Sequence, residues 1–144
     1  MEACDSETIA RRAFSDIAAR FPSVQMVEDV GVPVEISIAI PAQPGCNQTV
    51  WLCLQNLNEL HFSVGSFWLE WFPCTNPQRV DSYVDAVVGY LLGKYRVLEH
   101  YRCAKCVKAE LQAPEGANWR TLGTWRTLHL PFPWRKTLKE IRNN

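Results

Sequence analysis

The sequence predicts an α+β fold. It consists of an antiparallel sheet, a four-strand meander plus a C-terminal hairpin and strand, with two helices packed on one face in the order α-β-β-β-β-α-β-β-β. Two observations lead there. Leu60–Trp71 alternates apolar and polar residues on both sides of Gly65-Ser66, the mark of a half-buried hairpin. Two other stretches, Ser6–Phe21 and Pro77–Leu92, repeat their apolar residues at helical spacing.

The hairpin sets the register of the whole meander. With Gly65 taking the positive φ that opens a type II′ turn, Val64 faces Phe67, Phe62 faces Leu69 and Leu60 faces Trp71. Val50, Leu52 and Leu54 alternate with Trp51, Cys53 and Gln55, and a turn through Asn56-Leu57-Asn58 sets Leu54 opposite Leu60 and Leu52 opposite Phe62. Val34, Ile36, Ile38 and Ile40 add a further strand, with Ile40 beside Val50 and Ile38 beside Leu52. A slip of one residue would turn a whole strand over. The four strands therefore support one another in sharing a single apolar face.

The first helix runs from about Ser6, capped by Asp5 or Ser6, to Phe21, where Pro22 stops it. Ile9, Ala13, Phe14, Ile17 and Ala18 share its apolar side, and Arg11, Arg12, Asp16 and Arg20 point to water. Residues 22–33 form a connection with a short extended piece at Val24–Val27. Pro73 ends the meander. Asn76 then caps the second helix, Pro77 takes its first position and Gly93 terminates it. Its stripe of Val80, Tyr83, Val84, Val87, Val88, Leu91 and Leu92 is the natural cover for the apolar sheet face.

After Gly93 the pattern reads as a hairpin, Tyr95–Arg102 with Val107–Gln112, its tip at Cys103-Ala104-Lys105-Cys106. Trp119-Arg120-Thr121-Leu122 is echoed by Trp125-Arg126-Thr127-Leu128 in one long strand over residues 119–130, interrupted near Gly123. Pro131-Phe132-Pro133-Trp134 breaks it, and Arg135–Asn144 is expected as a basic tail with a helical turn or two.

The 144 residues fit a single domain, 1–144, and six Trp, six Phe and four Tyr exclude a disordered chain. The acidic N-terminus has neither a basic n-region nor an apolar h-region, and no apolar run reaches the length of a membrane span. A cytoplasmic protein without membrane contact is expected, its six cysteines free thiols. The neutral total conceals an asymmetry. Residues 1–92 hold four basic residues against eleven acids, a net −7, and residues 93–144 hold eleven against four, a net +7. The two halves are expected to meet in one fold and compensate each other.

Three groups of residues carry chemistry worth naming. On the meander face opposite the core, the register sets Ser37, Cys53, His61 and Glu70 in one row and Ala39, Trp51, Ser63 and Trp68 in the next. A thiol, an imidazole and a carboxylate in sequence, Cys53, His61 and Glu70, are the parts of a thiol-dependent hydrolase. The same row with Trp51 and Trp68 also has the composition of an interface centre. Cys103 and Cys106 form a CxxC pair that suits half of a zinc site or a redox dithiol, and equally two thiols flanking a turn. A structural zinc site needs further ligands, for which Cys4, Cys46, Cys74, His100 and His129 are the candidates. Arg120, Arg126, Arg135, Lys136, Lys139 and Arg142 interleave with Trp119, Trp125 and Trp134, as in surfaces that bind single-stranded nucleic acid. Phosphate-loop, dinucleotide-binding, nucleophile-elbow and metalloprotease motifs are absent from the sequence.

In element order alone the chain resembles several small bacterial α+β binding proteins, among them secretion-effector chaperones and immunity proteins. The expected function is that of a small cytosolic, non-enzymatic protein interaction module, adaptor, chaperone-like or immunity-like. It would use Trp51, His61, Trp68 and Glu70, or Arg120 and Arg126 of the basic C-terminal segment, against a protein partner or a second copy. No cofactor is expected. The alternatives are the hydrolase at Cys53, His61 and Glu70, and a zinc- or nucleic-acid-binding protein at Cys103, Cys106 and the basic segment.

Overall fold

A computed structural model of the chain describes residues 2–127 and 135–143, with side chains from residue 5 onward. The elements follow as α1 (Glu2–Arg20), β1 (Val27–Glu28), β2 (Ile36–Ile40), β3 (Val50–Gln55), β4 (Glu59–Val64), β5 (Phe67–Trp71), α2 (Pro77–Leu91), β6 (Arg96–Arg102), β7 (Lys105–Glu115), β8 (Asn118–Arg126) and β9 (Lys136–Ile141). The class is α+β, with two antiparallel sheets. The expected single sheet is split in two, a five-stranded sheet in the order β1-β2-β3-β4-β5 and a four-stranded one in the order β8-β7-β6-β9.

The meander has the register that its sequence pattern predicts. Ile40 pairs with Val50, Ile38 with Leu52, Leu52 with Phe62, Leu54 with Leu60, Phe62 with Leu69 and Val64 with Phe67. Gly65 has φ +56, and Ser66 is not in the positive-φ region, which is the type II′ pattern. The apolar face is sealed by the helices. Phe14 of α1 and Trp71 of β5 both meet the ring of Tyr83 on α2 edge-on, and Phe62 lies between Phe67 and Tyr90. The Tyr83 hydroxyl donates to the carbonyl of His61 at 2.9 Å, pinning α2 to the middle of β4.

Asn76 caps α2 by accepting from the Gln78 N–H at 3.0 Å, and Gly93 with φ +76 follows its end. Arg11, Arg12, Asp16 and Arg20 are exposed on α1, as their spacing implies. The helix begins earlier than Ser6, however. Ser6 is buried inside it, and its carbonyl accepts from the Cys74 thiol.

Sheet two departs from expectation in two places, the C-terminal tail and the β6–β7 turn, and keeps the expected interruption near Gly123. The basic tail is a strand and not a helical turn: β9 pairs with β6, Ile141 against Val97 and Leu138 against His100. Ile141 is the apolar anchor, only 4% exposed in the shared core. The β6–β7 turn is the dipeptide Cys103-Ala104, with Cys103 at φ +54, so Cys106 lies within β7 opposite Tyr101. The interruption near Gly123 is a bulge: Leu111 pairs with Gly123 but Gln112 with Thr121. The proline break at residues 131–134, together with His129, Trp134 and the Cys4 side chain, lies outside what is described.

The sheets meet along β5. Gly123 lies against Leu69, where a Cβ would collide with the leucine side chain. Gly65 at the hairpin tip lies against Ile141 and Glu99, which leave no room for a side chain. The two halves of the sequence thus share one core, yet their charges do not pair. Among the described residues each ion pair, from Arg11–Glu28 to Arg120–Glu115, joins partners within one half.

Candidate functional site

The backbone register assembles the row that the sequence predicts on the outer face of the first sheet. Ser37 is opposite Cys53, Cys53 opposite His61 and His61 opposite Glu70. The side chains join up differently. His61 is only 3% exposed, and its Nε2 lies 3.0 Å from Glu59 Oε1, two residues back on the same strand. The Gln55 amide nitrogen lies 3.1 Å from Nδ1 and 3.2 Å from Nε2, close against the ring. Trp68 covers the imidazole at 5.1 Å between ring centres. Asn56 also donates to Glu59, at 3.0 Å. That bond, aided by His61 and opposed by burial, holds the Glu59 carboxyl below the usual carboxylate range.

Cys53 directs its thiol to Ser37 Oγ at 3.8 Å. Burial pushes the thiol pKa up, and the Ser37 contact offsets this only in part. A thiol that stays protonated at neutral pH is a poor nucleophile. The row is therefore wired as two separate pairs, Cys53 with Ser37 and His61 with Glu59, and not as a nucleophile–base–acid relay. Row-by-row reasoning missed Glu59, Gln55 and Asn56. The signal was present in the sequence, because Glu59 and Gln55 stand two positions from His61 and Cys53 and so share their face.

Two large apolar side chains stand out of this face. Trp51 is 42% exposed and Trp68 43%, on either side of Ser63. Glu70 is half-buried beside them. Between Arg20 and Arg79 the sequence holds no lysine or arginine, while Glu28, Asp29, Glu35, Glu59 and Glu70 all fall there.

The other candidates are spread over the second sheet. Cys103 is exposed at the turn, Cys106 directs its thiol to the Lys108 carbonyl, and both are free. Among the described residues no three His, Cys, Asp or Glu side chains converge on a metal position. Arg120 and Arg126 lie six apart on β8, an even spacing that would place them on one face of a regular strand. The bulge at Leu122 reverses this, so Arg126 is opposite Lys108 and Arg120 opposite Ala113, on the other face. The same reversal separates the tryptophans. Trp125 packs against the core, and Trp119 lies under the guanidinium groups of Arg96 at 4.2 Å and Arg142 at 5.3 Å.

No protein-family model, curated protein or solved structure matches the chain. Among the described residues no helix is long and apolar enough to cross a membrane.

Proposed function

We propose that the chain is a non-enzymatic binding module of the cytoplasm that docks a basic segment of a partner protein on the outer face of its first sheet. The observation that carries this reading is the pairing of half-exposed Trp51 and Trp68 on a face whose only charges are acidic. With one strand between them the two indoles stand roughly 10 Å apart, about two strand spacings. That leaves room for an arginine or lysine side chain against either ring, with Glu70 in the adjoining row. His61, locked between Glu59, Gln55 and Trp68, serves as the rigid floor of this surface.

Tryptophan emission titrated with hexa-arginine and with hexaglutamate peptides tests the proposal. A saturable change with the basic peptide alone is expected, weakened by salt and lost in the Trp51→Ser/Trp68→Ser variant at unchanged circular dichroism. An unchanged response from that variant, or none from the wild type, overturns it. A stable dimer in light scattering that the same variant abolishes would replace the basic partner with a second copy.

A further inference from the structure

The second sheet gathers positive charge on its outer face in a way that its own stability does not favour. Lys108 of β7 stands directly opposite Arg126 of β8. Arg102 of β6 stands between Lys105 of β7 and Lys136 of β9. Like charges in directly opposed positions destabilise a sheet, and here they occur on three neighbouring strand pairs. Between them lies a concavity of about 310 Å³ lined by Arg102, Lys108, Arg126 and Lys136 together with His100 and Tyr101. No carboxylate of the described residues lines it. The neighbouring Glu110 is occupied, accepting from His100 Nε2 at 2.6 Å and Thr121 Oγ1 at 2.8 Å, with Lys108 Nζ at 3.6 Å. Arg102, Arg126 and Lys136 have no carboxylate partner among the described residues.

We propose that this pocket binds a small ligand bearing two or more phosphate groups, held by Arg102, Lys108, Arg126 and Lys136. With Lys108 shared with Glu110, the three cations that lack a carboxylate partner still carry more charge than one phosphate, which bears roughly −1.5 to −2 near neutral pH. The volume is at the small end of ligand clefts. Arginine supplies planar, bidentate donors suited to phosphate, and the lysines supply compact charge. His100, fixed by Glu110, also lines the pocket. A nucleic-acid strand would need aromatic platforms beside the cations. On β8 those aromatics are engaged elsewhere, Trp125 in the core and Trp119 beneath two arginines, and Tyr101, which lines the pocket, is held by its hydroxyl to Glu99.

Calorimetric titration of the purified chain with inorganic pyrophosphate, orthophosphate and a single-stranded oligothymidylate tests this. Expected is one saturable pyrophosphate site, at least about tenfold tighter than orthophosphate, together with a rise in Tm on binding. Arg126→Ser and Lys136→Ser, both at exposed positions, should each weaken it by about tenfold. Lys94→Ser, which removes the same charge away from the pocket, should change it by no more than about twofold. Three results overturn the proposal: pyrophosphate bound no tighter than orthophosphate, an equal loss in Lys94→Ser, or oligothymidylate bound more tightly than pyrophosphate through the same residues.

Discussion

Ser66 donates its backbone N–H to Glu99 Oε2 at 2.6 Å, tying the tip of the β4–β5 hairpin to the centre of β6. Glu99 is only 2% exposed, and its other oxygen accepts from the Tyr101 hydroxyl at 2.8 Å. Removing the carboxylate takes a buried shared acceptor from both donors. Glu99→Ala is therefore expected to cost on the order of 3 kcal/mol, and Tyr101→Phe about 1 kcal/mol. Urea unfolding of the three proteins measures both, and a cost for Glu99→Ala no larger than that for Tyr101→Phe would contradict the role given to this junction.

Two buried tyrosines on α2 make opposite predictions. Tyr83 gives its hydroxyl to the His61 carbonyl, whereas the Tyr90 hydroxyl is buried without a hydrogen-bond partner among the described residues. Burial raises the pKa of both, so neither phenol ionises near neutral pH. Tyr83→Phe is expected to destabilise by about 1–2 kcal/mol, because it removes a hydrogen bond made in the closed core. Tyr90→Phe should be neutral or stabilise by about 1 kcal/mol, because it removes a polar group buried at a cost. The difference in Tm between the two variants is the readout.

Acid should loosen the second sheet through Glu110. Burial pushes its carboxyl pKa up, but hydrogen bonds from Thr121 and His100 and the charge of Lys108 outweigh it, leaving the group below its ordinary value of 4.5. A depressed carboxylate stabilises the fold above its unfolded pKa and loses that contribution as pH falls through the folded one. Glu110→Gln is expected to be less stable than the wild type at neutral pH. The gap should close as pH drops below about 4.5, as followed by thermal melts across the acid range.

Thiol reactivity separates Cys53 from Cys103. Burial and a raised pKa protect the first, and exposure at a turn offers up the second. Alkylation at neutral pH followed by peptide mass spectrometry should label Cys103 first, by an order of magnitude or so in rate. Faster labelling of Cys53 would restore it as a candidate nucleophile.

The meander was legible because its apolar residues keep a strict two-residue period across three turns, so each strand checks the next. The N-terminal half of α2 was equally plain, because Asn76-Pro77 combines a cap with a residue that fits the first helical position. The second sheet was harder to see. Lys136–Ile141 has a strand's alternation only in Leu138 and a buried end at Ile141, and its pairing to β6 is a contact over more than thirty residues that no local pattern announces. The interruption near Gly123 was legible from the glycine, but not that it is a bulge at Leu122, which turns Arg120 to the face opposite Arg126 and Trp119 to the face opposite Trp125, where Gly123 admits Leu69 of the other sheet. The outer face of the meander was half read. Its rows were right and its hydrogen bonds were not, because long side chains such as Glu59 and Gln55 reach along a strand as readily as across it.

The segregation of charge gives this neutral molecule a large dipole moment. Its negative end is the meander and helices and its positive end the second sheet, and no ion pair among the described residues bridges them. Near its isoelectric point of about 6.8, a solution low in salt should favour head-to-tail attraction between copies, a contact that need not close on itself. Raising the ionic strength to about 0.1 M shortens the screening length to about 10 Å. The protein should then dissolve more readily, salting in where a uniformly charged neighbour of the same size would not.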